Sequence, residues 1–169
     1  TITSLLLVGT AFGLSAEEPR LESGKQRAAV SGLHGKPAPK LELTQWLNTK
    51  GGKAPDTKGK IVVLDFWATW CKPCKKVMKH LDKYHNKYEE NGFKVLMVNQ
   101  DTPRSLGKVK SYIKSQKYSF NVGLDPNQKI AKKLNGLIMP TLILIDTDGT
   151  ILWRHQGYMP GEEAEIESE

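Results

Sequence analysis

Cysteine is scarce in this chain of 169 residues: there are two, and they stand together as Trp70-Cys71-Lys72-Pro73-Cys74. With no third thiol, nothing competes for either sulfur, and the pair can cycle between dithiol and disulfide undisturbed. A zinc site needs about four ligands. The other candidates, His34, His80, His85 and His155, show no ligand spacing near the pair, so no metal is expected. A purely structural disulfide remains an alternative, although so short a loop removes little chain entropy when it closes. Nor does a chain of this length need such a staple, since one domain of its size buries roughly 70% of its unfolded surface. Redox use of the pair is therefore the favoured reading. The chain also lacks internal repeats and any alternation of basic and aromatic residues, so nothing argues for nucleic acid.

Long apolar runs are missing as well. The one candidate, Leu5 to Leu14, is too short for a confident spanning helix. Residues 1–16 carry no charged side chain, and Ser15-Ala16 precede Glu17-Glu18-Pro19. The sequence begins without Met or a basic segment. With such residues in front of it, this stretch is expected to act as a cleaved export signal, with an uncleaved membrane anchor as the alternative. Export implies a periplasmic or otherwise extracytoplasmic location, where an oxidising environment demands an electron source for any reductant.

Formal net charge is +7, from 25 Lys and Arg against 18 Asp and Glu. That suits acidic partners or an anionic membrane surface, although a basic, solvated exterior is the favoured reading. Residues 17–35 are polar, mixed in charge and read as a tether, leaving one domain over 36–169. Leu41-Glu42-Leu43-Thr44 alternates as a half-buried strand does. Residues 48–60 read as a loop. Ile61 to Phe66 is apolar apart from Asp65, as in a central buried strand.

After the cysteines, Val77, Leu81, Tyr84 and Tyr88 recur at helical spacing, and Asn91-Gly92 ends the helix. Lys75, Lys79, Lys83 and Lys87 form a second stripe on that helix, a solvated face or a docking surface for an acidic partner. A strand is expected over 93–98, a helix from Thr102-Pro103 to about Gln116 with Val109 and Ile113 inward, and a short strand over 118–124. Asp125-Pro126 is expected to cap a helix through Leu134. Residues 141–145 and 151–153 predict a hairpin across Asp146-Thr147-Asp148-Gly149, and a terminal helix starts near Gly161. Strands separated by helices imply parallel pairing, with the hairpin adding an antiparallel edge.

Val63-Leu64-Asp65-Phe66-Trp67-Ala68-Thr69-Trp70-Cys71-Lys72-Pro73-Cys74-Lys75 resembles the active-site segment of thioredoxins, and Met139-Pro140-Thr141 resembles their cis-proline loop. Gly35-Lys36-Pro37-Ala38-Pro39, Ile145-Asp146-Thr147-Asp148-Gly149 and the helical material between 103 and 118 resemble the exported TlpA-like branch, which includes ResA-type and cytochrome c maturation thioredoxins. The similarity covers about residues 36–160. It implies an α/β, thioredoxin-like fold: a central mixed sheet flanked by helices, with an N-terminal strand extension and a helical insertion. Two departures stand out. Asp65 replaces the Asn usual in that branch, and Lys79 and Val77 stand where a kinking proline and a glutamate are frequent.

The resemblance implies a thiol–disulfide oxidoreductase that reduces protein disulfides. Its cofactor-free redox centre would be the Cys71–Cys74 disulfide. Cys71, at a helix N-terminus and beside Lys72, is the expected nucleophile, and Cys74 the resolving thiol. Pro73 fixes φ where the helix lacks a donor's partner anyway. Asp65, by resemblance, accepts the proton of Cys74; a polar strand end facing solvent is the alternative. Trp70, Lys72, Pro73, Met139 and Pro140 are the expected substrate-binding residues, with the Met139 backbone pairing to an extended segment. Trp70 is read at the rim and Trp67 in the core beneath; for Trp70 and Met139 a mere packing role is the alternative.

Apocytochrome c is one implied substrate, and a membrane protein of the DsbD or CcdA type the implied electron donor. A monomer is expected. A thiol oxidase or isomerase using the same cysteines is one alternative. A non-catalytic binding module is another, against which the intact cysteine pair speaks. No Pro-x-x-x-Thr-x-x-Cys of peroxidase type is present.

Overall fold

The computed structural model describes residues 32–169; the signal-like segment 1–16 and most of the tether lie outside them. Strand β1 spans Gln45–Leu47, β2 Ile61–Trp67, β3 Phe93–Asn99, β4 Asn121–Leu124, β5 Thr141–Ile145 and β6 Ile151–Gln156. Helix α1 is Lys72–Tyr88, α2 Leu106–Gln116, α3 Lys129–Lys133 and α4 Glu163–Ser168. The six strands form one mixed sheet in the order β1-β4-β3-β2-β5-β6.

β2 lies at the centre because both its faces are apolar. Val63 and Trp67 point to one side, packing with Val77, Met78 and Leu81 of α1 and Val109 and Ile113 of α2. Val62, Leu64 and Phe66 point to the other, against Ile130 and Leu134 at α3. Alternation with period 2 thus divides the core into two layers. The stripe read on α1 is there, with Val77 and Leu81 buried; Met78 and His85 complete it, while Tyr84 and Tyr88 are only half-buried. Gly92, at φ +84°, ends the turn that follows α1 in a left-handed conformation.

Four expectations need correcting. The strand near the start is Gln45–Leu47 and not 41–44. Leu41 and Leu43 do pack on the core, but their segment closes local bonds, Glu42 N–H to Lys40 O and Leu43 N–H to Leu41 O, instead of a ladder. Pairing with β4 starts only where Thr44 N–H reaches Leu124 O. The strand expected over 118–124 is confined to 121–124, because Asp82 of α1 accepts from both the amide and the hydroxyl of Ser119. The helix after Asp125-Pro126 begins only at Lys129, since Gln128 takes φ +56°. Asp125 still caps it, its carboxylate accepting from the amides of Lys129, Ile130 and Ala131 at 2.8–2.9 Å.

The last correction concerns direction. β2, β3 and β4 are parallel, as helix-separated strands predict, but β5 runs antiparallel to β2 although α3 precedes it. The connection from β4, residues 125–140, does not recross the sheet. It stays along the edge where β2, β3 and β4 end, and β5 starts there, with Thr141 opposite Phe66. This places residues 137–140 beside the cysteines. At the opposite edge strand, Gly35 N–H and Ala38 N–H bond Ile151 O and Gly149 O, so residues 33–38 lie along β6 and Leu33 packs on the core.

Candidate active site

The site is built where β2 gives way to α1. Cys71 is the N-cap residue of α1 and its Sγ accepts from Cys74 N–H at 3.3 Å; Pro73 occupies the first turn. The two sulfurs are bonded to each other, with Cα atoms 5.3 Å apart. Their environments differ. Cys71 keeps 4% of its surface exposed, while Cys74 is wholly buried in the α1 core layer. Of the two residues, only Cys71 retains any exposed surface. The helix N-terminus supplies partial positive charge and an amide donor to its sulfur, which favours its thiolate once the bond is reduced.

Two hydrogen-bonded braces hold the loop that carries Cys71. The Asp101 carboxylate accepts from Thr69 N–H at 2.7 Å, from Thr69 Oγ1 at 2.6 Å and from Asn99 Nδ2 at 2.8 Å. Gln100 donates from its amide N–H to Trp67 O and from Nε2 to Gly136 O at 2.6 Å. Gln100 thereby ties the cysteine loop to the segment leading into Met139-Pro140. Sequence reasoning assigned nothing to Asn99, Gln100 and Asp101. One available signal was that an apolar run ends on three consecutive polar residues at the carboxyl end of a parallel strand, where α/β proteins place their sites.

The Met139–Pro140 peptide is cis. Thr141 Oγ1 donates to Ile138 O, and Gly157 N–H donates to Pro140 O, so both ends of this turn are fixed. The Met139 backbone bonds no described residue, while its side chain packs between the two core layers. Trp70 is 70% exposed at the rim; Trp67 is buried with its ring 5.7 Å from Tyr112. Lys72 and Pro73 are exposed in the first turn of α1. Leu137, Ile138 and Met159 are the other exposed apolar side chains on this edge.

Asp65 sits in β2 opposite Met97 and Leu142, on the face shared with Val63 and Trp67. It is fully buried, and neither carboxylate oxygen bonds a described residue. The solvent-facing alternative is thus set aside. Burial pushes its carboxyl well above the usual carboxylate range. The histidines have other partners: His34 bonds Leu152 O, His80 lies near Glu163, His85 accepts from Val95 N–H, and His155 pairs with Glu162 at 3.2 Å.

Comparison with known proteins agrees with this geometry. The model of the AhpC/TSA family matches residues 34–154. Thiol-disulfide oxidoreductase ResA of Bacillus cereus is 35% identical over 155 residues, covering 90% of this chain and 80% of that protein. Thioredoxin-like protein YneN of Bacillus subtilis is 30% identical over 165 residues, covering 97% and 92%. Among solved structures, a protein assigned as thiol:disulfide interchange protein DsbE of Chlorobium tepidum superposes with a TM-score of 0.72 at 31% identity, covering 80% of this chain and 93% of that one. StoA of Bacillus subtilis gives 0.59 at 27% identity, covering 79% and 100%. The chain belongs to the AhpC/TSA family, among its thioredoxin-like thiol–disulfide oxidoreductases.

Proposed function

We propose that this protein works outside the cytoplasm as a reductant of disulfides in other proteins. The observation that carries the reading is the asymmetry of the disulfide: Cys71 caps the helix N-terminus and keeps a little exposed surface, while Cys74 is wholly buried. In the dithiol form, the Cys71 thiolate attacks one sulfur of a substrate disulfide. A mixed disulfide forms and one substrate thiolate leaves. Cys74 then loses its proton and attacks Cys71 Sγ, and the second substrate thiolate departs. Two electrons have passed to the substrate, and the Cys71–Cys74 bond is the product left on the protein.

Asp65 takes the proton from Cys74 in this scheme. A carboxyl that burial raises well above the usual range suits that task better than an ordinary, fully ionised one. The unbonded Met139 backbone and Pro140 receive the extended substrate segment, with Trp70, Lys72 and Pro73 at its margin. Apocytochrome c is the proposed substrate, and a membrane donor of the DsbD or CcdA type returns two electrons to the Cys71–Cys74 disulfide; the exported character of residues 1–16 in the sequence supports the location. No helix among the described residues is long and apolar enough to cross a membrane.

Equilibration with glutathione redox buffers tests the direction. A reductant has a potential near that of thioredoxin, about −270 mV, whereas a value near about −120 mV marks an oxidant. The second result would replace this reading by the thiol oxidase one.

A further inference from the structure

The positive charge of this protein is gathered in one place. Residues 72–88 and 103–117 hold eleven of the 25 Lys and Arg but one of the 18 Asp and Glu, a net +10 where the whole chain is +7. All other residues together therefore sum to −3. These two stretches are α1, and α2 with the turn before it, and they form the helical layer on one face of the sheet. The helices are neighbours: Lys75 Nζ of α1 lies 4.8 Å from the ring centre of Tyr112 on α2.

The charge is also graded. At the end of α1 remote from the cysteines, α4 neutralises it, with Lys87 Nζ 2.7 Å from Glu167. Toward the disulfide, Lys76, Lys79, Arg104, Lys108 and Lys110 are exposed and have no ion-pair partner among the described residues. Lys72 carries the layer into the active-site loop.

We infer that this basic layer docks an acidic protein, one that presents its disulfide or dithiol to Cys71 while its own carboxylates meet α1 and α2. The inference rests on the oxidoreductase reading and names the kind of partner it serves. An anionic bilayer fits less well. Helices that lie on membranes insert large apolar side chains, and the exposed large apolar residues, Ile61, Trp70, Leu137, Ile138 and Met159, all lie outside α1 and α2. Opposed charge beside a reactive centre raises the encounter rate, commonly by factors of 10 to 1,000 at low ionic strength.

The test uses two disulfide-bridged peptides of identical core sequence, one flanked by Asp and Glu and the other by Lys. Reduction by the dithiol protein is followed at about 20 mM and about 0.5 M salt, where the screening length falls several-fold. The acidic peptide is expected to react at least about ten-fold faster at low salt, with the two rates converging at high salt. A variant with Lys76→Glu, Lys79→Glu, Lys108→Glu and Lys110→Glu is expected to lose or invert the preference. Uncharged hydroxyethyl disulfide should be reduced equally by both proteins. Equal peptide rates at low salt would overturn the inference, as would a preference that survives the four substitutions. Sedimentation with phosphatidylserine vesicles combined with equal peptide rates would assign the layer to a membrane instead. Failure of the wild type on hydroxyethyl disulfide would count against the oxidoreductase reading itself.

Discussion

Asp65→Asn keeps the outline of the side chain and removes its ionisation. The carboxyl is fully buried in β2 with no described partner, and burial holds its pKa well above the ordinary value. In the unfolded chain the same group ionises near pH 3.9 or so, roughly the free value. Below that pH both states keep the proton, and the substitution exchanges one unpaired neutral group for another. Above it the unfolded chain releases its proton first, while the folded chain still holds one. The wild type then loses stability as pH rises, by about 1.4 kcal/mol per unit, until the folded-state pKa is passed. The variant has no such slope. Its advantage therefore opens near pH 4 and grows until the folded-state pKa is passed. Each pH unit inside the window is worth about 1.4 kcal/mol, or roughly 5 °C in Tm at about 4 °C per kcal/mol. Thermal or urea unfolding of the oxidised proteins between about pH 4 and pH 7 measures it. The same variant should resolve a mixed disulfide about a hundred-fold more slowly at neutral pH, the usual contribution of a positioned base. A stability difference that stays flat with pH would refute the buried, unpaired carboxyl and the base role built on it.

Asp101→Ala removes the acceptor for Thr69 N–H, Thr69 Oγ1 and Asn99 Nδ2. It should cost about 2–3 kcal/mol and accelerate hydrogen exchange at the Thr69 amide; unchanged exchange would mean the loop is held by something else. Gly136→Ala would place a Cβ 2.5 Å from Phe66 Cδ2, a ring buried in the core. The clash should lower stability by about 1–3 kcal/mol in urea unfolding, and an unaltered midpoint would contradict the tight packing behind Met139-Pro140.

Much of this architecture could be read from local pattern. The apolar run 61–66, the cysteine pair at its end and the apolar stripe of α1 each declare themselves within a dozen residues, because burial period and capping are short-range effects. Features set by tertiary contacts could not be read that way. The direction of β5 depends on where the 125–140 connection carries the chain, which no local pattern fixes. Leu41 and Leu43 alternate like a strand yet spend their backbone bonds locally, while the Leu43 side chain fills the space above Gly123. At the site, the two sulfurs and Met139-Pro140 carry recognisable sequence. Asn99, Gln100 and Asp101 act through partners up to 36 positions away in the chain, and no spacing rule exposes such bonds.

The sharpest test of the account is the mass of the adduct formed when reduced Cys74→Ser protein meets a disulfide-bearing protein substrate. A stable mixed disulfide is predicted, mapping to Cys71, and the reciprocal Cys71→Ser protein should form none. Complete substrate reduction by the Cys74→Ser protein, or an adduct formed only through Cys74, would contradict it.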